Sequence, residues 1–356
     1  MSGTPAGNWP RVSRIALLIC LSVPIGHASA VNLVIDYSYD SPALGGSDFF
    51  GAGNPAGAIG ATRARAALET AADFFSTILT DSFSAIETPE SFSSAVFDGT
   101  ATFSWTMDFY SPGSGELISL VDQTIAQDEY RIYVGGQNLG AATLALGGRG
   151  GESRSSITPG LFTGSEAALV EATRDEFFYA VDDRGEEGFG AWGGAVSFSN
   201  SANVNWHFDH EQLPASNEID FFSVAIHELI HTLGFAGSQE WLDLIEGDPP
   251  TFIGEEAMNL YGGPVPLNVD MDHWADGLET TVYGTADLQL SVMDRFTLEG
   301  ERNLFGTIDA AALADLGWQV SLPSLLDADF NGDTVVNGLD LAIWEQADRL
   351  GADADA

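Results

Sequence analysis

The chain has 356 residues, 45% of them hydrophobic, which suits one large domain or one domain with a small module. Its formal net charge is −40, and all 12 basic residues are Arg. So strong an anion repels nucleic acid and acidic membrane surfaces, so neither is an expected partner; the charge fits a protein that works outside the cell in salt or holds Ca²⁺.

The first thirty residues read as a secretory signal peptide rather than as fold. Arg11 and Arg14 give a positive start, Ile15 to Val23 is an apolar run too short to span a membrane, and Ala28-Ser29-Ala30 is an A-x-A cleavage site. Cys20 is the single cysteine and lies inside this segment, so the mature chain is expected to have no disulfide and no thiolate-held metal. A strand pattern that begins at the cleavage site leaves little room for a propeptide.

From residue 31 the pattern is α+β. Val31 to Tyr39 alternates as a strand, and Ala61 to Thr80 carries apolar residues at helical spacing, which predicts a long helix backing a sheet. Ala101 to Phe109 and Glu129 to Val134 are β-rich. Residues 141 to 190 are rich in Gly, Ser and charge and read mostly as loop, with a helix over Ser165 to Asp175. Trp192 to Phe198 and Val204 to Phe208 are joined by Ser-Asn-Ser-Ala-Asn and read as a hairpin. The next helix is largely apolar, with Ser216 and Asn217 as N-cap candidates and Gly234 as its left-handed stop.

That helix carries His227-Glu228-Leu229-Ile230-His231-Thr232-Leu233-Gly234. Histidines four apart share one helix face, so both imidazoles can reach one ion. Zn²⁺ takes imidazole nitrogen at about 2.0–2.1 Å, and two such ligands make half of a tetrahedral site. Glu228 follows the first ligand and is placed to act as base toward a water at the open position. The third ligand is open on these grounds alone: His273, Glu240, Asp243, Glu255, Glu256, Asp270 and Asp272 all lie downstream. His207 and His210, at a strand end upstream of the helix, read as structural or rim residues.

The H-E-x-x-H-x-x-G run, a later histidine and then Ser291-Val292-Met293-Asp294 resemble the metzincin zinc peptidases. Gly237 stands where most metzincins have their third histidine. The longer spacing to His273 is similar to that of leishmanolysin-like members, which carry an insertion there. The resemblance covers roughly residues 31 to 320. It implies a twisted mixed sheet with a backing helix and an active-site helix, His273 as third zinc ligand, and Met293 in a turn beneath the metal. Some members carry a metal-seeking Tyr two residues after that methionine; Arg295 stands here, and no such role is carried over. The resemblance also implies an antiparallel edge strand that holds extended peptide, for which Gly194, Ala195 and Val196 are the candidates.

After a linker over residues 321–326, the segment 327–356 is EF-hand-like. Asp329, Asn331, Asp333, Asn337 and Asp340 offer side-chain oxygens in calcium-loop order, with the Val335 carbonyl between them. Thr334 replaces the usual turn glycine and Asp340 the usual glutamate. The run resembles one repeat of a type I dockerin, which implies a cohesin-like partner; dockerins have two repeats, and only one is present. The expectation is a secreted zinc endopeptidase acting on protein or peptide. The rival is a non-catalytic secreted metal-binding or surface-assembly protein attached through its calcium repeat.

Overall fold

Alternate side chains between Gly99 and Tyr110 are buried, from Ala101 through Phe103, Trp105 and Met107 to Phe109, and the residues between them face outward. This two-residue period makes the run a strand with one core face. The strand belongs to one of two four-stranded sheets in a mixed α+β fold. The computed structural model describes residues 30–321 except 88–91, 95–98, 141, 159, 161, 183 and 185–189. The signal-peptide reading of residues 1–30, save Ala30, the linker, save Ser321, and the calcium loop lie outside the described residues. Among the described residues, no helix is long and apolar enough to cross a membrane.

In chain order the strands that matter are β1 (Asn32–Asp36), β2 (Phe92–Ser94), β3 (Gly99–Tyr110), β4 (Leu117–Val121), β5 (Glu129–Gln137), β6 (Ala145–Arg149), β7 (Gly151–Ile157), β8 (Gly193–Ser199), β9 (Trp206–His207) and β10 (Ile219–Asp220). The helices are α1 (Gly57–Ile78), α2 (Ser165–Asp182), α3 (Phe221–Thr232), α4 (Gln239–Asp243), α5 (Glu255–Tyr261) and α6 (Thr307–Asp315). The central sheet runs β1-β5-β8-β6: the first three strands are parallel, and β6 is antiparallel at the edge. Helices α1 and α3 cover one face, burying Phe75, Val196, Phe198, Phe221 and Leu229 in one cluster. The second sheet, built around β3 with β2, β4 and β7, and helix α2 cover the other face; there Trp105, Phe109, Phe177, Tyr133 and Trp192 form a second cluster.

Three expectations are corrected here. Residues 141 to 190 contain β6 and β7 and a helix longer than the sequence suggests. Trp192 to Phe198 and Val204 to Phe208 do not form a hairpin, because β8 is paired on both sides and β9 pairs in parallel with β10. The strand over Gly194, Ala195 and Val196 is therefore interior: β5 and β6 take up both of its edges, so it has no free edge to offer a peptide. Among the described residues, the unpaired antiparallel edge of the central sheet is β6.

Candidate metal centre

Helix α3 is fastened at both ends. Its N-cap is Asp220, whose buried carboxylate accepts from the Ser223 amide at 3.0 Å and pairs with both Nε and Nη2 of Arg302 at 2.9 and 2.8 Å. Asp220, not Ser216 or Asn217, meets the orphan amides of the first turn. At the other end the Tyr130 hydroxyl donates to the Thr232 carbonyl and the Trp318 indole to that of Leu233. Gly234, at φ +106°, then turns the chain sharply, in the left-handed region that a side chain resists.

That turn brings the Phe235 carbonyl back to His231 Nδ1 at 3.0 Å. His227 Nδ1 lies 2.7 Å from the Val292 carbonyl, and His273 Nδ1 lies 2.8 Å from Asp272 Oδ1. Carbonyl and carboxylate oxygens only accept, so each imidazole carries a proton on Nδ1, which leaves Nε2 as the atom that can bind a metal. The Nε2 atoms converge: His231 and His273 each place theirs 3.1 Å from that of His227. Lone pairs so close repel unless a proton or a metal cation lies between them. All three ligand atoms fall within 4.8 Å of one another, so the cluster could hold a metal ion. Burial lowers the pKa of His227 well below the ordinary value and that of His231 to about 4, with the neighbouring imidazoles adding to the effect. Both rings are neutral at pH 7, the form a metal binds.

Glu228 is 5% exposed and lines a 670 Å³ cleft together with the three histidines. Burial pushes its pKa up to about 8, against the opposing hydrogen bond from the Gly147 amide. A dication at the imidazoles would draw that value down. β6 crosses directly over this carboxylate. A Cβ built on Gly147 would stand 2.4 Å from the Glu228 carbonyl and 2.9 Å from its Oε2, so the close approach requires glycine.

Beneath His227, residues 291–294 form a turn in which the Asp294 amide donates to the Ser291 carbonyl at 3.1 Å, with Met293 fully buried. Sequence reasoning did not find Asp309. It is fully buried on α6 and accepts from the Trp274 indole at 2.8 Å, the Ser291 hydroxyl at 2.7 Å and the Gly306 amide at 3.0 Å. It thus ties the loop carrying His273 to the turn carrying Met293. Burial raises its pKa to about 6 against those three hydrogen bonds.

No family model, no curated protein and no solved structure matches this chain. The geometry alone sorts the remaining candidates. Asp272 orients His273 and is not in the converging set. Glu255 and Glu256 open α5, where their segment is capped by Asp315. Glu240 pairs with Arg149 at 3.4 Å, and Asp243 lies at the end of α4, accepting from Gln239. Asp270 is exposed and also outside the cluster. His207 is held by Glu218 and by the Asp209 and Gln212 carbonyls, while His210 meets Thr70. Arg295 lines the cleft and pairs with Asp276 at 3.2 Å.

Proposed function

We propose that the protein is a secreted zinc endopeptidase with a metzincin-like catalytic domain. The observation that carries this reading is the convergence of three Nε2 lone pairs, each fixed by an Nδ1–H donated to oxygen, beside a buried carboxylate in an open cleft. Three imidazoles are a donor set that suits zinc. Nitrogens at about 2.0–2.1 Å from a tetrahedral ion lie about 3.3–3.4 Å apart, close to the 3.1 Å separations found here. Metzincin likeness is supported by the antiparallel edge strand above α3, the long helix behind the sheet and the Met293 turn whose Val292 carbonyl holds His227.

Zinc, when bound by His227, His231 and His273, supplies Lewis acidity toward water and a scissile carbonyl. Glu228 takes the proton from the attacking water and passes it to the leaving nitrogen. Gly147 of β6 lies against Glu228 so closely that no side chain fits between them. Peptide lies extended along the free edge of β6, pairing main chain to main chain. Met293 and Asp309 act on the ligand loops and touch no reacting atom. Export by the N-terminal segment and weak calcium binding by Asp329, Asn331, Asp333, Val335, Asn337 and Asp340 complete the reading; a cohesin-like partner would act through that tail. The test is metal analysis of purified protein with casein digestion before and after chelation. Stoichiometric zinc and chelator-sensitive cleavage are expected, and a metal-free protein that cleaves nothing after zinc is added would overturn the reading.

A further inference from the structure

The free edge of β6 has two sides, and the metal cleft occupies only one of them. The Ser199 amide donates to the Leu144 carbonyl, and the Gly150 amide to that of Gly193. Even-numbered residues of β6 therefore turn their peptide groups inward to β8, while Ala145, Gly147 and Arg149 turn theirs outward. Gly147 faces Glu228, so side chains at 145, 147 and 149 lie on the helix side. Leu146 and Gly148 lie on the opposite face with Ser197 and Ala195, their partners across the ladder. A peptide strand added to this edge obeys the same period. Its residues opposite Leu146 and Gly148 send their side chains away from the metal, toward the second sheet.

A cavity of 550 Å³ lies there. Tyr110, Leu117 and Leu146 border it and are 69%, 61% and 57% exposed, an unusual concentration of bare apolar surface. Tyr110 and Leu117 are direct partners across β3 and β4. A Cβ on Gly148 would meet no atom within 4 Å, so the floor beneath the peptide is open. Three polar side chains around the cavity are already engaged. Asp108 accepts from Ser119, Gln137 donates to Ser197 at 2.9 Å, and Arg149 pairs with Glu240.

Resting on the peptidase reading, we propose that this cavity is a second substrate subsite, taking an apolar or aromatic side chain of the extended peptide at a position that alternates with those facing the metal. Such a site makes the enzyme selective for substrates with a large apolar residue on one side of the cut, set by the second sheet rather than by the metal cleft. The test uses zinc-loaded full-length protein and a peptide set in which each position in turn is Phe, Leu, Gly or Asp. Cleavage is followed with the wild type, and binding by anisotropy with Glu228→Gln. Phe or Leu at one position should be favoured over Gly or Asp by about tenfold to a hundredfold, as expected for burying one such side chain. Leu117→Arg should reverse that preference toward Asp at the same position, with zinc content unchanged. A flat profile, or a preference that Leu117→Arg leaves in place, overturns the subsite. If the wild type cuts nothing but Glu228→Gln binds apolar peptides and Leu117→Arg reverses the choice, the subsite stands and the peptidase reading falls. Neither cleavage nor binding would sink both.

Discussion

Gly147→Ala should damage catalysis far more than its single methyl suggests. The new Cβ would stand 2.4 Å from the Glu228 carbonyl, whereas ordinary contact begins at 3.4 Å. The obstacle is helix backbone, which cannot rotate away as a side-chain tip does. Either β6 lifts or α3 drops, by about 1 Å, and a misplacement of that size costs about a hundredfold in rate when it separates a base from its substrate. Forcing a methyl into packed surroundings also costs about 1–3 kcal/mol, which for a domain of this size lowers Tm by about 2–8 °C. The assay is kcat/KM on a fixed peptide, with Tm and zinc content measured on the same preparation. Zinc should stay bound where β6 lifts, because β6 carries no ligand; a drop of α3 would move His227 and His231 and loosen zinc as well. Gly148→Ala is the comparison for stability: its Cβ meets nothing within 4 Å, so its Tm should match the wild type. Equal Tm values and equal kcat/KM for Gly147→Ala and the wild type would refute the close-approach argument.

His273→Ala should weaken zinc binding by more than about a hundredfold, beyond the usual loss when only a ligand's hydrogen-bonding partner is removed. Glu255→Ala and Glu256→Ala should bind as the wild type does, and competition with a zinc chelator reads all three. Asp309→Ala leaves the Trp274 indole, the Ser291 hydroxyl and the Gly306 amide without their acceptor; it should cost about 3 kcal/mol or more of stability in urea unfolding and loosen zinc as well. With metal removed, the pH dependence of Tm should differ between the wild type and Glu228→Gln. The folded carboxyl keeps its proton up to about 8 while the unfolded one releases it near 4.5, so the wild type loses stability relative to the variant as pH rises between those values. Parallel Tm curves would show that Glu228 is not buried as described.

Helix α3 was legible because a four-residue spacing is a local signal: His227 and His231 share a face wherever that helix sits. The long helix and β3 were legible for the same reason, their periods being written in Ala64, Leu68, Ala71 and Phe75 and in the alternation from Ala101 to Phe109. His273 was one of several downstream candidates until a family resemblance favoured it, since only tertiary folding brings residues 227 and 273 together. β6 was missed because Ala-Leu-Gly-Gly-Arg has poor strand propensity; its pairing with β8 makes it a strand, and its glycines serve the approach to Glu228. The hairpin misreading had the opposite cause. Ser199 to Asn203 has good turn chemistry, yet β9 takes β10 as its partner, and the Trp206 indole donates to the Ser199 carbonyl instead of closing a ladder. Asp309 was one acid among 52 Asp and Glu residues, and nothing in its local sequence marks it as buried.

The most direct test of the central claim compares wild type with Glu228→Gln, measuring bound zinc by elemental analysis and peptide cleavage on the same samples. Glu228 is not among the converging ligands, so the variant should hold one zinc per chain as the wild type does. It lacks only the proton carrier, and its cleavage rate should fall by about 10²–10⁴-fold or more. A variant that cleaves at the wild-type rate, or one that loses its zinc together with its activity, would contradict the account.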